Sequence, residues 1–136
     1  MSARFGRYEI LGLLGSGGMA DVFLARAEGA EGVAKRLALK RIRPHLAQRP
    51  GFLDMFVVEA RIAVELTHAN IVPVFDFGRV GGAYFLAMEY VEGRDLAALL
   101  ARARELGRRL PAPLAAHIAA QVASALDYAH RRDVVH

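Results

Sequence analysis

The chain has 136 residues, of which 54% are hydrophobic and 24% charged, a balance typical of a globular fold and not of a disordered chain. It contains no cysteine, which excludes disulfides and thiolate metal sites. The net charge of +4 comes from residues spread along the sequence, without a basic run interleaved with aromatic residues, so we expect no nucleic-acid partner. Neither a signal peptide nor a membrane-spanning segment is predicted, and we expect a cytoplasmic protein.

A glycine-rich turn between two short strands is the first informative feature. Strands are predicted from Tyr8 to Leu14 and from Asp21 to Arg26, with Gly15-Ser16-Gly17-Gly18 between them. Because a strand follows the glycines, a dinucleotide-binding fingerprint is disfavoured, and the lack of Gly-Lys-Ser/Thr excludes a P-loop. Glycines at a hairpin tip let backbone N–H groups approach phosphate oxygens, although an ordinary glycine hairpin explains the pattern equally well.

The third predicted strand runs from Val33 to Ile42, after a turn at Glu28 to Gly32. Side chains alternate along a strand, so Leu37 and Leu39 are expected on one face and Ala38 and Lys40 on the other. Lys40 is one of only two lysines among 18 basic residues. Its compact ammonium suits a phosphate oxygen or a single carboxylate, and a surface lysine on a strand edge is the alternative.

Pro44 and Pro50 are predicted to bracket a loop before a helix over Gly51 to Thr67. Glu59 falls in the apolar face of this helix, where burial is costly unless a cation pairs with the carboxylate. Lys40 is the candidate partner, since the helix follows its strand and is expected to pack on the sheet. The alternative is that Glu59 lies at the edge of the apolar face and points to water.

Two more strands and two helices complete the prediction. The strands are Ile71 to Phe77 and Ala83 to Tyr90, separated by a turn at Gly78 to Gly82. Asp95 is then predicted to open a short helix ending near Gly107 as its N-cap, and Pro113 opens a longer helix. The apolar face of the longer helix is formed by Leu114, Ile118, Val122, Leu126 and Ala129.

Five blocks of this sequence, in this order, resemble the bacterial members of the eukaryotic-like serine/threonine protein kinases. They are Leu14 to Phe23, Ala38 to Lys40, Glu59, Leu66 to Val72 and Met88 to Leu96. The resemblance continues through Ala125 to His130 and covers essentially the whole chain from about Tyr8. It implies an α+β fold: a kinase N-lobe with a five-stranded antiparallel sheet and one helix over residues 1–91, then a hinge and the first helices of an incomplete C-lobe over 92–136.

The resemblance also implies roles for individual residues. Lys40 holds the ATP phosphates and pairs with Glu59, an ion pair that kinases make and break with activation. Met88 lines the back of the nucleotide pocket, and Asp95 contacts the ribose hydroxyls. The ribose contact is compatible with Asp95 also being the N-cap of its helix. The further nucleotide-binding residues are Leu14, the loop of Gly15, Ser16, Gly17, Gly18, Met19 and Ala20 over the phosphates, Val22 and Ala38 around the adenine, and the backbone of Glu89 and Val91 at its edge.

The chain departs from the family pattern at three places. Ala20 replaces the third glycine of the loop, and Ala69 replaces the usual proline. His136 matches the histidine that opens the catalytic loop, so the catalytic Asp and the metal-binding Asp-Phe-Gly are expected beyond it. Asp76-Phe77-Gly78 spells that motif but comes too early, so Asp76 is predicted to be a turn residue near a strand end. The five histidines lack metal-ligand spacing, and we predict no metal site within this chain.

The predicted function is transfer of the γ-phosphoryl group of Mg-ATP to Ser or Thr hydroxyls of a protein substrate, with the 136-residue chain itself inactive. The first alternative is a pseudokinase-like module that binds nucleotide or a partner without catalysis. The second is a small-molecule kinase of related fold, although the Leu66 to Val72 block fits protein kinases better. The apolar face of the last helix is expected to be exposed and to promote association.

Overall fold

The computed structural model describes residues 3–28 and 34–134 of the chain. In this part of the chain, antiparallel strands form one sheet with the order β1-β2-β3-β4-β6-β5. The strands are β1 (Ala3–Phe5), β2 (Tyr8–Ser16), β3 (Ala20–Glu28), β4 (Ala34–Ile42), β5 (Val74–Val80) and β6 (Ala83–Glu89). The helices are α1 (Pro44–Ala47), α2 (Phe52–Glu65), α3 (Leu96–Glu105) and α4 (Ala112–His130). The predicted α+β class is confirmed.

The sheet has six strands in the described residues, so the predicted number of five is wrong. The additional strand is β1, which pairs with β2 through a two-residue turn in which Gly6 has a φ of 56°. A positive φ is cheap for glycine, and a turn of two residues suffices to reverse the chain. Three residues are too few to show an alternating pattern, so no pattern in the sequence predicts this strand. The predicted turn at residues 29–32 and the strand start at Val33 lie outside the described residues.

Strand β5 begins three residues later than predicted. Pro73 has no backbone N–H to give to a sheet, and its carbonyl accepts a hydrogen bond from the Glu89 amide at 3.0 Å. The strand then continues through Gly78, which the sequence placed in a turn. The turn itself is only Gly81-Gly82, with φ values of 54° and 83°. Two residues with positive φ are what a tight hairpin connection requires.

The core consists of two clusters of buried residues. One contains Leu37 and Leu39, as the predicted strand alternation requires, and is closed by edge-to-face contacts of Phe85 with Phe5 and Tyr8, at centroid distances of 5.6 and 5.4 Å. The other lies where α1 and α2 pack on the sheet, and its members are Ala20, Ile42, Leu46, Phe56, Ala60 and Leu86. Each fully buried apolar side chain contributes about 1.5–3 kcal/mol.

Helix α2 is held on the sheet by aromatic contacts. Phe56 is buried, and its ring lies 5.8 Å from the ring of Phe77 on β5. The helix begins after Gly51, whose φ of 75° ends the preceding turn, and it ends at Glu65 because Leu66 is extended. The predicted helix therefore lies correctly, one residue too long at its start and two at its end. The segment predicted as a loop contains the short helix α1.

Residue contacts divide the chain into two compact units. The first comprises Met1–Thr67 and Val72–Tyr90, and the second comprises His68–Ile71 and Val91–His136. Within the second unit, the side-chain amide of Asn70 donates to the backbone carbonyl and the side-chain oxygen of Gln121 on α4, at 3.1 and 2.7 Å. This docking removes residues 68–71 from the sheet, which explains why the strand predicted from Ile71 starts later.

Candidate active site

Several of the residues predicted to bind nucleotide share one face of the sheet. Val22 on β3 pairs with Lys40 on β4, and Ala38 pairs with Met88 on β6. Partners in an antiparallel pair lie on the same face, as do residues two apart along a strand. Ala20 lies on this same face, further along β3, and is buried where α1 and α2 pack on the sheet. The predicted placement of Ala38 and Lys40 on one face is thus correct, and the contacts of these side chains with a ligand remain predictions.

The predicted glycine loop is the tip of the hairpin between β2 and β3. The amide of Gly17 donates to the carbonyl of Ala20 at 2.9 Å, which closes the tip. Leu14 and Met19 on either side of the glycines are exposed apolar side chains. A Cβ on Gly15 or Gly18 would meet no other atom within 4 Å. The backbone of the tip is therefore open to an approaching group.

Other glycines of this chain have a structural reason to be glycine. A Cβ on Gly6 would lie 2.9 Å from a methyl of Val80, and one on Gly78 would lie 3.0 Å from the ring of Phe85. The hairpin glycines have neither such a contact nor a positive φ. Folding alone therefore does not require glycine at the tip, whereas close approach of a ligand to the backbone does.

Lys40 and Glu59 line the same cavity of about 240 Å³, between β4 and α2. Its other walls are apolar and include Met19 from the hairpin tip and Leu86 from β6. Among the ion pairs of the described residues, none joins Lys40 to Glu59 within 4.0 Å. The two charges face one space but are not in salt-bridge contact, so the predicted pairing stays a prediction.

The expectation that Glu59 is buried is wrong. Glu59 is exposed, and α2 buries only Phe56 and Ala60 of its side chains. The reason is that the apolar face of α2 is narrower than the sequence pattern suggested, because Met55 and Val58 are also exposed. The alternative reading, in which Glu59 sits at the edge of that face, describes its position.

A polar cluster beside the hairpin was missed by the sequence reasoning. Ser16 donates from its hydroxyl to Asp21 at 2.6 Å, and Arg43 donates to both, at 2.8 Å to Ser16 and 3.1 Å to Asp21. Arg41 lies 3.9 Å from the second oxygen of Asp21. We call these four residues the Asp21 cluster. The hydrogen bond from Ser16, followed by that from Arg43, lowers the pKa of the Asp21 carboxyl.

The family follows from a comparison with known proteins, in which the model of the protein kinase domain matches residues 8–136. The chain belongs to the protein kinase domain family. The kinase chain is 37% identical over 126 residues to the tyrosine-protein kinase MasK of Myxococcus xanthus, covering 93% of this chain and 20% of MasK. It is 39% identical over 136 residues to the serine/threonine-protein kinase PknH of Mycobacterium tuberculosis, covering 100% of this chain and 21% of PknH.

A solved structure has the same fold. The PknI kinase domain of Mycobacterium tuberculosis superposes with a TM-score of 0.80 at 32% identity, covering 99% of this chain and 52% of that one. The kinase N-lobe fold predicted from the resemblance is thereby confirmed, as is the likeness to bacterial serine/threonine kinases. The chain spans about a fifth of the curated relatives it matches and about half of the solved kinase domain.

Two predicted ligand contacts of this kinase chain lie in its second unit. Val91 is exposed. The carboxylate of Asp95 accepts a hydrogen bond from the Ala98 amide at 2.7 Å and caps α3, which confirms the predicted N-cap. A ribose contact by Asp95 remains a prediction. In the first unit, the Glu89 amide already donates to Pro73, so an adenine contact by Glu89 falls to its carbonyl oxygen.

Asp76 forms hydrogen bonds that stabilise the fold. It lies within β5, at a bulge in the pairing of β5 with β6. The prediction of a turn residue is wrong, because the bulge keeps Asp76 in the strand. Its carboxylate accepts hydrogen bonds from the Tyr8 hydroxyl at 2.5 Å, from Arg7 at 2.6 Å and from the Phe77 amide at 2.9 Å. These contacts account for the aspartate in the misplaced Asp-Phe-Gly sequence without a metal.

Within the described residues, no group of three or more His, Asp or Glu side chains is arranged to hold a metal ion. None of the described helices is long and apolar enough to cross a membrane. His136, which matched the start of the catalytic loop, lies outside the described residues.

Proposed function

We propose that this chain is the ATP-binding part of a serine/threonine protein kinase, in which the glycine hairpin and Lys40 hold the nucleotide phosphates. Mg-ATP supplies the γ-phosphoryl group, and a Ser or Thr hydroxyl of a protein substrate accepts it. The residues present fit a triphosphate: a hairpin tip with open space beside Gly15 and Gly18, and an ammonium on the cavity wall. Leu14, Val22, Ala38 and Met88 supply apolar surface for the adenine.

The observation that carries this proposal is the position of Lys40 on a cavity wall, without an ion-pair partner in the part of the chain that the structure describes. Lys40 is a partly buried residue on the wall of a mainly apolar cavity, and the ion pairs and side-chain hydrogen bonds of the described residues do not include it. Partial burial of a charge without a partner costs free energy. A phosphate group bound at the neighbouring glycine hairpin would supply an anionic oxygen as the partner of Lys40. Glu59 lines the same cavity from α2, and we expect it to hold the ammonium in position when the two come together.

The two lysines of the chain provide a matched test. Lys35 lies on the same strand as Lys40, but its ammonium sits 3.8 Å from the ring centroid of Phe75, away from the cavity. We expect Lys40→Met to weaken binding of a fluorescent ADP analogue by about tenfold or more, since a charged hydrogen bond to phosphate is lost. Lys35→Met should bind as the wild type does. Equal affinities of all three proteins would overturn the proposal.

A non-catalytic nucleotide-binding module makes the same contacts, so binding alone does not separate it from an enzyme. Transfer of labelled phosphate from ATP by the full-length protein does separate them, and its dependence on Lys40 assigns the activity to this site. Analysis of the labelled amino acid then tests the acceptor, because the relatives include a kinase named for tyrosine as well as several named for serine and threonine. Phosphotyrosine alone would contradict the proposed Ser/Thr specificity.

A further inference from the structure

The glycine hairpin is tied to the end of strand β4 by a single residue, Arg43. The side chain of Arg43 donates to Ser16 on one arm of the hairpin and to Asp21 on the other. Its backbone amide donates to the carbonyl of Met19, within the tip, at 3.2 Å. Arg43 follows β4 directly, three residues after Lys40. The hairpin tip and the lysine are therefore connected through a few residues of ordered chain.

The contacts of Arg43 reduce the conformational entropy that the hairpin has to lose when a ligand binds. Glycine loses more backbone freedom on ordering than any other residue, and the hairpin has three glycines among four consecutive positions, Gly15 to Gly18. A ligand that has to order such a segment binds less tightly than one that meets it already ordered. The bonds from Arg43 to both arms and to the tip supply this order before any ligand arrives.

Arg43 also offsets the negative charge of Asp21. An aspartate is ionised at neutral pH, and the Ser16 hydrogen bond and Arg43 favour this charged form further by lowering the pKa of Asp21. An ionised carboxylate next to the hairpin repels phosphate groups unless a cation offsets it. Arg43 and, at longer range, Arg41 lie beside the carboxylate and offset its charge. Without Arg43, the negative charge of Asp21 is offset less fully at the place where phosphates are expected.

We propose that Arg43 is a positioning residue for ATP: it fixes the glycine hairpin relative to Lys40 and neutralises Asp21, without touching the nucleotide itself. The inference rests on the proposed ATP-binding function. It assigns to Arg43 an effect on nucleotide affinity and leaves the chemical step to other residues. The Asp21 cluster is thus a support for the phosphate-binding backbone.

The test is made in the full-length protein, with Arg43→Met and with Arg49→Met as the control. Arg49 is an exposed arginine in the loop before α2, and none of the described ion pairs involves it. We expect Arg43→Met to raise the KM for ATP by roughly three- to tenfold, with kcat changed less than twofold, because preorganisation is lost. Arg43→Lys keeps the charge and should recover part of the affinity. Arg49→Met should leave both constants unchanged.

Asp21→Asn separates the two contributions of Arg43. If the uncompensated carboxylate weakens ATP binding, the double variant Arg43→Met/Asp21→Asn should bind ATP more tightly than Arg43→Met alone. Amide hydrogen exchange without nucleotide gives a second readout, since Gly15 to Ala20 should exchange faster in Arg43→Met than in Arg49→Met. This measurement reports hairpin order directly and does not depend on activity.

The outcomes are distinct. A wild-type protein that binds no ATP overturns the proposed function, and this inference with it. A wild type that binds ATP, together with an Arg43→Met variant whose KM and hairpin exchange match those of Arg49→Met, overturns the positioning role alone. A loss of kcat at unchanged KM in Arg43→Met would also contradict it, since the role assigned to Arg43 concerns nucleotide affinity.

Discussion

The phenolic hydroxyl of Tyr8 donates a hydrogen bond to the carboxylate of Asp76, joining the start of β2 to strand β5 at the far edge of the sheet. Tyr8 is only 2% exposed, so its hydroxyl depends on this bond and on Arg7 for hydrogen-bonding partners. Burial, followed by the bond to Asp76, raises the pKa of Tyr8. Asp76, which opens the Asp-Phe-Gly sequence that resembles the kinase metal-binding motif, therefore helps to link β2 to β5.

The Asp76→Ala variant should be less stable than the wild type by about 1–3 kcal/mol, because the hydroxyl of the buried Tyr8 and the Phe77 amide lose their acceptor. Urea denaturation measures this change. Tyr8→Phe removes the donor and keeps the ring, so it should cost less than Asp76→Ala. Binding of an ADP analogue should be the same in both folded variants and in the wild type. Nucleotide affinity that depends on Asp76 and magnesium would instead indicate a metal-binding role.

The Asp21 carboxyl is expected to titrate below its ordinary range in the folded chain, since Ser16 and Arg43 favour its charged form. A depressed folded pKa stabilises the folded chain above the unfolded pKa, near 4, and this contribution is lost as pH falls through the folded pKa. Ser16→Ala removes the largest cause and should raise the pKa of Asp21. Carbon-detected NMR of the carboxyl group measures it. An identical titration in Ser16→Ala would contradict the assignment.

Asn70→Ala should loosen the segment His68–Ile71, because two hydrogen bonds to Gln121 are lost. The expected cost is about 1–2 kcal/mol of local stability, seen as faster amide exchange in residues 68–71 and in the middle of α4. Gln121→Ala keeps its backbone carbonyl as an acceptor and should have a smaller effect. If the two variants exchange alike, the backbone bond contributes nothing.

The exposure predicted for the apolar face of the last helix is confirmed for Leu114, Val122 and Leu126, the last two of which line a groove in the second unit. It is wrong for Ala129, which is buried, and Ile118 is half-buried. Large exposed apolar surfaces promote association, so the chain is expected to self-associate. Val122→Glu should lower its apparent mass in sedimentation at a given concentration. Val58→Glu, at an exposed position of α2, is the control. A wild-type chain that stays monomeric at high concentration would contradict the expectation.

A fifth prediction, that the 136-residue chain alone transfers no phosphate, follows from the match of His136 to the histidine that precedes the catalytic Asp in the family pattern. Incubation of the purified chain with labelled ATP and a general protein substrate checks it. The full-length protein is the positive control. Transfer by the short chain that is abolished by Lys40→Met would show that this prediction is wrong.

Long elements with a clear period were predictable from the sequence, and features set by a few tertiary contacts were not. The alternation along β4 correctly placed Lys40 on the same face as Ala38, since side-chain direction in a strand is a local property. The start of β5 depended on Asn70 reaching α4, a contact 51 residues away along the chain. The exposure of Glu59 depended on how much of α2 the sheet covers. The Asp21 cluster joins residues from β2, β3 and β4, and no local pattern marks such a grouping.

The assignment of His68–Ile71 to the second unit has a practical consequence for dissecting this kinase. The chain leaves the first unit after Thr67, returns to it at Val72 and leaves it again after Tyr90. No single cut in the gene can therefore yield both units intact. A shortened protein ending at Tyr90 keeps a four-residue stretch whose partner helix is gone, and one starting at Val91 has a helix without the amide that Asn70 offers it.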